Sequence, residues 1–244
     1  MNRFFECLKE SAAVFAGNIK IFFVVGLICM LPSIPVYLKQ SLILPDIPEL
    51  VILAFDALLA VTASFMTIIT TFRAYNIGDE ITTKQLLVNA KNCLWRFLNV
   101  LGRLLLVVIG ASVAISLFWG ILNVSHTVDP LILWTGIAFS IAAVVIIFLP
   151  RYCLTFVSAA VSDWGINDME YGAGLMKKKS FLTTLALIIT ALLAAVGFAL
   201  VSAMTYTSPA LTVALMVVQY LFSIFAFAFG GCVWARVYAK IEEE

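Results

Sequence analysis

The side chains that could do chemistry in this chain are few and lie far apart. Asp56 sits inside a long apolar run and begins a helical face of small and polar residues. That face continues, in steps of four, three, four and four, through Ala60, Ala63, Thr67 and Thr71. A face of this kind suits a neighbouring helix or a cavity better than lipid. We therefore predict that Asp56 and Thr67 are polar positions inside the membrane.

Two interpretations of Asp56 stay open at this stage. A carboxylate near the bilayer centre costs roughly 2.5–3.5 kcal/mol on insertion scales, so one retained there indicates a proton- or cation-coupled site. Alternatively, Asp56 lies within about two turns of the outer end of its helix and simply reaches water. The sequence offers no basic partner at the same depth.

Basic residues gather at the ends of the apolar runs and form a second group of candidates. They are Arg73, Arg103, Arg151, Lys177, Lys178, Lys179 and Arg236. Anionic lipid attracts such residues by about 1 kcal/mol each, and the planar guanidinium matches phosphate. We predict that they bind an anionic lipid or solute, with Arg151 most engaged because it directly follows Pro150. The alternative is that these cations only set the membrane topology.

The arrangements that an enzyme would need are missing from the sequence. The single histidine, His126, lies in a loop, so no nucleophile–base pair can be built around it. Gly172 and Gly174 precede lysines but lack the remainder of a phosphate-binding loop. The five cysteines form no CxxC pair, the carboxylates lack metal-ligand spacing, and the net charge is only +1. We therefore predict a protein without enzymatic activity, metal, cofactor or nucleic-acid partner.

Composition places the chain in a membrane. Hydrophobic residues make up 63% of it and charged residues 12%, with a mean hydropathy of +1.08, whereas soluble domains carry roughly 25% charged residues. Apolar runs long enough to cross ~30 Å of hydrocarbon predict six spans. These are residues 19–38, 50–72, 100–122, 131–149, 181–204 and 211–237. Prolines should kink or end the first span at Pro32 and Pro35, and should end the fourth at Pro150.

The distribution of positive charge predicts the topology. With an even number of spans and both termini on one side, every lysine and arginine except Lys39 falls on that side. Positive residues mark the cytoplasmic side of membrane proteins. We therefore expect a multi-pass protein of the plasma membrane with both termini in the cytoplasm.

The spans also suggest a threefold repeat. An amphipathic segment precedes each odd-numbered span, at residues 2–17, 82–98 and 167–180. Each even-numbered span ends in a basic–aromatic pair: Arg73 with Tyr75, Arg151 with Tyr152, and Arg236 with Tyr238. The predicted fold is therefore an all-α bundle of three hairpin units, approximately 2–75, 82–152 and 167–238, each led by a cytoplasmic amphipathic helix. The other interpretation is that Arg and Tyr are simply enriched at membrane interfaces.

Two polar insertions carry a family resemblance. They are NIGDEITTKQLL at residues 76–87 and DWGINDMEYGAGLMKKKSF at residues 163–181. With the six-span layout, they resemble small bacterial inner-membrane proteins similar to the membrane domain of glycerophosphoryl diester phosphodiesterases. The resemblance implies a location in the bacterial inner membrane. It implies no phosphodiesterase activity, because the catalytic residues of the soluble domain are absent from this sequence.

These observations lead to two functional hypotheses. The first is a non-enzymatic inner-membrane protein that binds or moves lipid, in particular anionic lipid, or a small solute. A transporter would need a water-accessible path lined by Asp56, Thr67 and Arg103. The second is a scaffold that organises partner membrane proteins, or a homo-oligomer, with a closed core.

Overall fold

The computed structural model describes residues 2–44, 46–123, 129–162, 167–176 and 180–243, and these ranges are helical apart from short connections. Within them the helices are α1 (Asn2–Gly17), α2 (Ile19–Met30), α3 (Ser33–Gln40), α4 (Glu49–Tyr75), α5 (Thr83–Leu122), α6 (Pro130–Val161), α7 (Asp168–Met176), α8 (Ser180–Met204) and α9 (Pro209–Glu242). The all-α class predicted from composition is therefore correct.

Four of the described helices are long and apolar enough to cross a membrane: α4, α5, α8 and α9. Helices α1 and α2 are bent by 76° relative to each other. They satisfy the same criteria of length and hydropathy only when they are counted together as one bent span, which raises the number of candidate spans among the described residues to five. Helix α6 has 32 residues and is apolar over Leu131–Val144 and Arg151–Val161, but the side chains of residues 145–150 lie outside the described ones. The structure thus has the helices of a multi-pass membrane protein.

The predicted amphipathic segment at residues 2–17 is α1, and it packs against the last turns of α9. Ser11 Oγ donates to Cys7 O at 2.7 Å and lies 3.4 Å from Cys232 O of α9. The chain turns sharply at Asn18, whose side-chain Nδ2 donates to Val14 O at 2.8 Å. Because the side chain bonds back to the preceding turn, it helps to end α1 before α2 begins.

The predicted first span is interrupted where its first proline lies. Helix α2 ends at Met30 and α3 begins at Ser33, so the break falls at Leu31 and Pro32. Proline has no amide proton to continue the helical ladder. Ser33 Oγ instead donates to Met30 O at 2.5 Å across the break. The prediction that a proline interrupts the regular helix is confirmed at Pro32, whereas Pro35 lies inside α3 and does not end it.

The second amphipathic segment and the third span are one continuous helix, contrary to the separation we predicted. Helix α5 runs for 40 residues, roughly 60 Å, about twice the thickness of the hydrocarbon. A capping box starts it: Thr82 N donates to Gln85 Oε1 at 2.8 Å, and Gln85 N donates to Thr82 Oγ1 at 3.4 Å. No helix-breaking residue separates the two parts, since Gly102 alone is tolerated.

Pro150 does not end the fourth span as predicted, because α6 continues to Val161. A proline inside a helix removes one hydrogen bond, and the helical bonds on either side can carry the helix through it. Arg151 therefore lies about three turns before the end of its helix, whereas Arg73 lies in the last turn of α4. The three arginines of the predicted repeat thus occupy different positions along their helices.

Two glycines allow α9 to pack closely against its neighbours. A Cβ added to Gly231 of α9 would overlap Thr70 Oγ1 of α4 and would lie 3.0 Å from Thr70 Cβ. A Cβ added to Gly26 of α2 would overlap Ile224 Cγ2 of α9. Helices in membranes use small residues to bring their backbones together in this way. Helix α9 is therefore the central helix, packed against both α2 and α4.

The amphipathic segments pack in a consistent order. The first half of α5 packs on α4, α7 packs on α6, and α1 packs on α9. The first two contacts join helices that are neighbours in sequence. The third contact joins the first helix of the chain to the last one.

The outer parts of α5 and α6 pack mainly on each other. Trp119 Nε1 donates to Ser140 Oγ at 3.3 Å, and Gly136 leaves room for the Trp119 ring. No side chain of residues 101–122 or 131–144 is buried. This pair of helix halves, which we call the outer hairpin, is apolar and would be surrounded by lipid in a bilayer.

Candidate functional site

A cavity of about 590 Å³ lies between α4, α5, α6, α8 and α9. This volume is within the usual range of ligand sites, roughly 300–1,000 Å³. None of the described residues that line it carries a charge. Its lining includes buried residues such as Ser64 and exposed ones such as Ala60 and Ala194, so the cavity reaches from the core to the surface.

The predicted polar face of α4 forms one wall of this cavity, with one exception. Ala60, Ala63, Thr67 and Thr71 all line it. Asp56 does not line it and is exposed on the same helix about one turn further out. The structure therefore separates the two intramembrane candidates: Thr67 belongs to the cavity and Asp56 does not.

Two hydroxyl groups of the α4 wall donate their protons within their own helix. Ser64 Oγ donates to Ala60 O at 2.6 Å, and Thr67 Oγ1 donates to Ala63 O at 2.9 Å. A hydroxyl that donates in this way keeps only acceptor capacity for other partners.

The opposite wall repeats the pattern on α8 and α9. Thr190 Oγ1 donates to Ala186 O at 2.9 Å and accepts a hydrogen bond from Trp234 Nε1 at 3.0 Å. Ser223 Oγ donates to Gln219 O at 2.9 Å. On both sides of the cavity, these four hydroxyl groups therefore keep only acceptor capacity.

Gln219 is the functional candidate that our sequence analysis missed. Its side chain lines the cavity and the residue is only 6% exposed, yet its Oε1 has no hydrogen-bond partner in the described structure. Its Nε2 lies on the side of α8, 3.6 Å from where a Cβ on Gly197 would be. A buried polar atom without a partner costs about 1–3 kcal/mol. A glutamine inside the apolar run 211–237 was the available signal, because polar residues in spans are generally functional.

The cavity is elongated along α9. Its lining on that helix extends from Gln219 to Trp234, a rise of roughly 22 Å. This length is about three-quarters of the ~30 Å hydrocarbon thickness. The shape therefore suits a chain-like molecule that lies parallel to the helices.

Arg73 is held by contacts within the first part of the chain. Its Nε donates to Asn18 Oδ1 at 3.0 Å, and its Nη1 donates to Asp79 O at 2.5 Å. These bonds tie the end of α4 to the turn between α1 and α2 and to the loop after α4. A second cavity of about 240 Å³ adjoins Arg73 and is lined by Asn18 and Gly78, among others.

Arg236 is also held by a partner, in this case a carboxylate of α1. Its guanidinium bonds Glu10 Oε2 through Nε at 3.0 Å and through Nη2. Lys240 Nζ lies 3.8 Å from the other oxygen of Glu10. These ion pairs fasten α1 to α9.

A largely buried ion pair joins α5, α6 and α7, and our sequence analysis did not foresee it. Arg96 donates to both carboxylate oxygens of Asp168, at 3.2 Å and 2.7 Å. The two side chains are only 12% and 9% exposed. Arg96 Nη1 also donates to Ser162 O at 2.7 Å, and Ser158 Oγ donates to Asp168 at 2.8 Å. Each charge is thus satisfied by several bonds, as a buried pair requires.

Arg103 and Arg151 are the exposed members of the predicted cation group. Arg103 Nε donates to Asn99 Oδ1 at 3.2 Å, and the Arg151 guanidinium lies 5.8 Å from the centre of the Tyr152 ring. Both stand two residues from cavity-lining positions of their helices. Lys177, Lys178 and Lys179 lie outside the described residues, as does His126. The described cations of the predicted group therefore occupy separate environments.

Three tyrosines meet near the end of α9. Tyr75 and Tyr171 each donate to the Glu242 carboxylate, both at 2.8 Å, and the Tyr75 ring packs edge-on against Tyr238 at 5.9 Å. The hydrogen bond to the carboxylate, together with burial, raises the pKa of Tyr171. The cluster joins α4, α7 and α9.

Comparison with known proteins leaves the cavity as the main guide to function. The chain matches no known protein family, no curated protein and no solved structure. The resemblance to the membrane domain of glycerophosphoryl diester phosphodiesterases remains a prediction. In the described ranges, no three His, Cys, Asp or Glu side chains come together as metal ligands would.

Proposed function

We propose that this chain is a non-enzymatic membrane protein that binds or moves a lipid, or a small apolar solute, in the cavity between α4, α5, α6, α8 and α9. The cavity itself is the observation that supports the proposal. It is uncharged, elongated and lined by both buried and exposed residues of helices long enough to span a membrane. An apolar molecule could enter it sideways from the bilayer without crossing water.

The proposed topology has six spans and places both termini in the cytoplasm of a bacterial inner membrane. Helix α6 supplies the sixth span, because its 32 residues extend roughly 48 Å. The positive-charge distribution supports the orientation. The order in which α1, α5 and α7 pack on α9, α4 and α6 supports three related units, since each amphipathic segment meets the last span of another unit.

We also propose that an anionic group binds at the end of the outer hairpin that the proposed topology places toward the cytoplasm. Arg103 and Arg151 are exposed there. A guanidinium presents a fork that matches phosphate, and a lysine ammonium does not reproduce it. Arg151→Lys should therefore weaken the retention of anionic lipid, whereas Lys178→Arg should change little. Native mass spectrometry of the two purified variants measures this directly. Equal retention in both would leave Arg151 as a topology determinant.

The structure supports binding better than ion-coupled transport. A transport path was expected to include Asp56, Thr67 and Arg103, and of these only Thr67 lines the cavity. The scaffold hypothesis keeps one observation in its favour. The outer hairpin exposes large apolar side chains, among them Leu106, Phe118 and Phe139, which a partner helix could cover.

Filling the cavity tests the proposal. Gly230 lines the cavity, and a Cβ added there would meet no atom within 4 Å, so Gly230→Leu should occupy the space without a clash. Gly110 has equally open surroundings but lies outside the cavity, so Gly110→Leu is the matched control. After purification in mild detergent, mass spectrometry of organic extracts should find lipid retained by the wild type and Gly110→Leu. The Gly230→Leu variant should lose most of it.

Equal lipid retention in all three proteins would argue against the cavity as the binding site. The thermal unfolding of each variant should be measured alongside. A Gly230→Leu variant that keeps the wild-type unfolding temperature but loses lipid would separate a binding defect from a folding defect.

A further inference from the structure

We infer that the second cavity, beside Arg73, is a binding site for a phosphate group and that the Arg73 guanidinium holds it. This pocket has a volume of about 240 Å³ and is lined by Ala13, Val14, Asn18, Arg73, Ile77 and Gly78. It shares no lining residue with the cavity between α4, α5, α6, α8 and α9. The two sites are therefore separate, and each can be tested without the other.

The guanidinium of Arg73 lacks a negatively charged partner. Arg96 and Arg236, which are also partly buried, are each paired with a carboxylate. Within the described chain, Arg73 instead donates to two neutral oxygens, Asn18 Oδ1 and the backbone carbonyl of Asp79. A charge that is removed from water is stabilised by a counter-charge. The partly buried Arg73 therefore favours an anionic partner from outside the chain.

The unused part of this guanidinium can be reached by a ligand. Arg73 Nη2 makes no hydrogen bond with the described residues, and it is not among the enclosed polar atoms without a partner, which include Gln219 Oε1. Nη2 therefore keeps two accessible N–H groups, and Nη1 keeps one besides the bond to Asp79 O. Such a set of donors can bind two oxygens of one phosphate.

The other polar groups of the lining are compatible with an anion. Asn18 Oδ1 already accepts from Arg73 Nε, and Asn18 Nδ2 donates one of its two protons to Val14 O. The amide N–H of Gly78 has no partner among the described residues. No described lining residue is acidic, and the loop carbonyls beside Gly78 are neutral. The charge of the guanidinium thus decides the preference of the pocket.

The place of Arg73 in the fold favours phosphate over other anions. Arg73 lies in the last turn of α4, whose 27 residues extend roughly 40 Å. This is about the thickness of a bilayer together with its headgroups, so the end of α4 lies at the level of the lipid phosphates. Ala13, Val14 and Ile77 add apolar surface for the carbon atoms attached to the phosphate. A lipid headgroup and a free phosphate can both supply the group.

A cysteine placed in the lining reports whether the pocket is occupied. Ile77 is an exposed lining residue, so Ile77→Cys should react with N-ethylmaleimide in the full-length protein in mild detergent. The three probes are inorganic phosphate, dihexanoyl phosphatidylglycerol, and dihexanoylglycerol, which has the same chains without the phosphate. A probe that carries phosphate should slow the reaction, and dihexanoylglycerol should not. Glu80→Cys, an exposed position outside the pocket, should react at the same rate with every probe.

Two neighbouring alanines of α1 provide a matched pair of variants, each combined with Ile77→Cys. Both are exposed, but only Ala13 lines the pocket. Ala13→Glu brings a carboxylate to Arg73, where it takes the place of the phosphate. The probe concentration for half-protection should rise at least about tenfold, the effect of losing one hydrogen bond to a charged group. Ala12→Glu changes the net charge equally and should leave that concentration unchanged, whereas Arg73→Gln should raise it as Ala13→Glu does.

Each result either supports or overturns the phosphate site. Protection by inorganic phosphate would assign it to a free phosphate, and protection by phosphatidylglycerol alone would assign it to a lipid headgroup. Protection by neither, or equal protection by dihexanoylglycerol, would overturn it. Protection that survives in Ala13→Glu would likewise exclude this pocket. If Arg73→Gln does not fold, the comparison of Ala13→Glu with Ala12→Glu still decides. None of these results affects the lipid cavity, which Gly230→Leu tests.

Discussion

Adjacent glycines of α9 provide a stability test of the contact between α4 and α9. A Cβ at Gly231 would overlap Thr70 Oγ1 and come within 3.0 Å of Thr70 Cβ, whereas a Cβ at Gly230 would meet no atom within 4 Å. Thr70 is fully buried, and its hydroxyl donates to Thr67 O at 3.0 Å, so its side chain has little freedom to move. Gly231→Ala should therefore push α4 and α9 apart.

The expected magnitude follows from two opposing terms. Replacing glycine by alanine within a helix stabilises the folded protein by about 1 kcal/mol at either position. Forcing an extra carbon into a well-packed contact costs typically about 1–3 kcal/mol. Since the first term is shared by the two variants, the difference between them isolates the second. Gly231→Ala should be less stable than Gly230→Ala by about 1–3 kcal/mol.

Thermal unfolding of the two variants in the same detergent measures that difference. For a chain of this size, each kcal/mol shifts the midpoint by about 2–4 °C. Gly230→Ala should unfold at or above the wild-type temperature, and Gly231→Ala below it. Identical midpoints would show that α4 and α9 are not in the close contact described here.

Two further predictions concern the ion pair and the topology. Arg96→Ala should destabilise the protein by about 3–5 kcal/mol because it leaves Asp168 buried without its counter-charge. The control Arg103→Ala should change the stability by no more than about 0.5 kcal/mol. Urea or thermal unfolding measures both, and comparable losses in the two variants would contradict a buried pair of Arg96 with Asp168. Under the six-span topology, Glu80→Cys should react with a membrane-impermeant thiol reagent only from the cytoplasm, and Asp46→Cys only from outside. Labelling of both positions from the same side would exclude this topology. Both positions are exposed loop residues. The same topology predicts labelling from outside near Ser125 and from the cytoplasm near Lys178, two positions that lie outside the described residues.

Local patterns in the sequence predicted several features well, for identifiable physical reasons. The spacing of Asp56, Ala60, Ala63, Thr67 and Thr71 indicated a side of α4 that faces protein or a cavity, because residues on one helical face are neighbours, and all of them except Asp56 line the cavity. Pro32 indicated the break between α2 and α3, because the missing amide proton acts locally. Pro150 misled us, since the surrounding helical bonds continue α6 through it.

The site was harder to predict because its parts come from distant positions. Gln219 looked like one polar residue in an apolar run until five helices enclosed a cavity beside it. Asp56 looked like the stronger functional candidate because a charge is costly in any membrane, yet it lies outside the cavity. The cost of a buried group depends on its neighbours, and those neighbours are set by packing.

The sequence by itself determined the all-α class of the protein and the presence of several long apolar helices; the number of spans and the sidedness of the charges stay predictions. These properties depend on hydrophobicity, helical periodicity and proline chemistry, which act over one or two turns. Only the tertiary structure decided which residues meet. It paired Arg96 with Asp168, which are 72 residues apart, and Arg236 with Glu10, which are 226 apart. It also left the oxygen of Gln219 without a partner beside a cavity. Contacts at such separations follow from how whole helices pack, because Gly26 and Gly231 let backbones approach at particular points that no local pattern specifies.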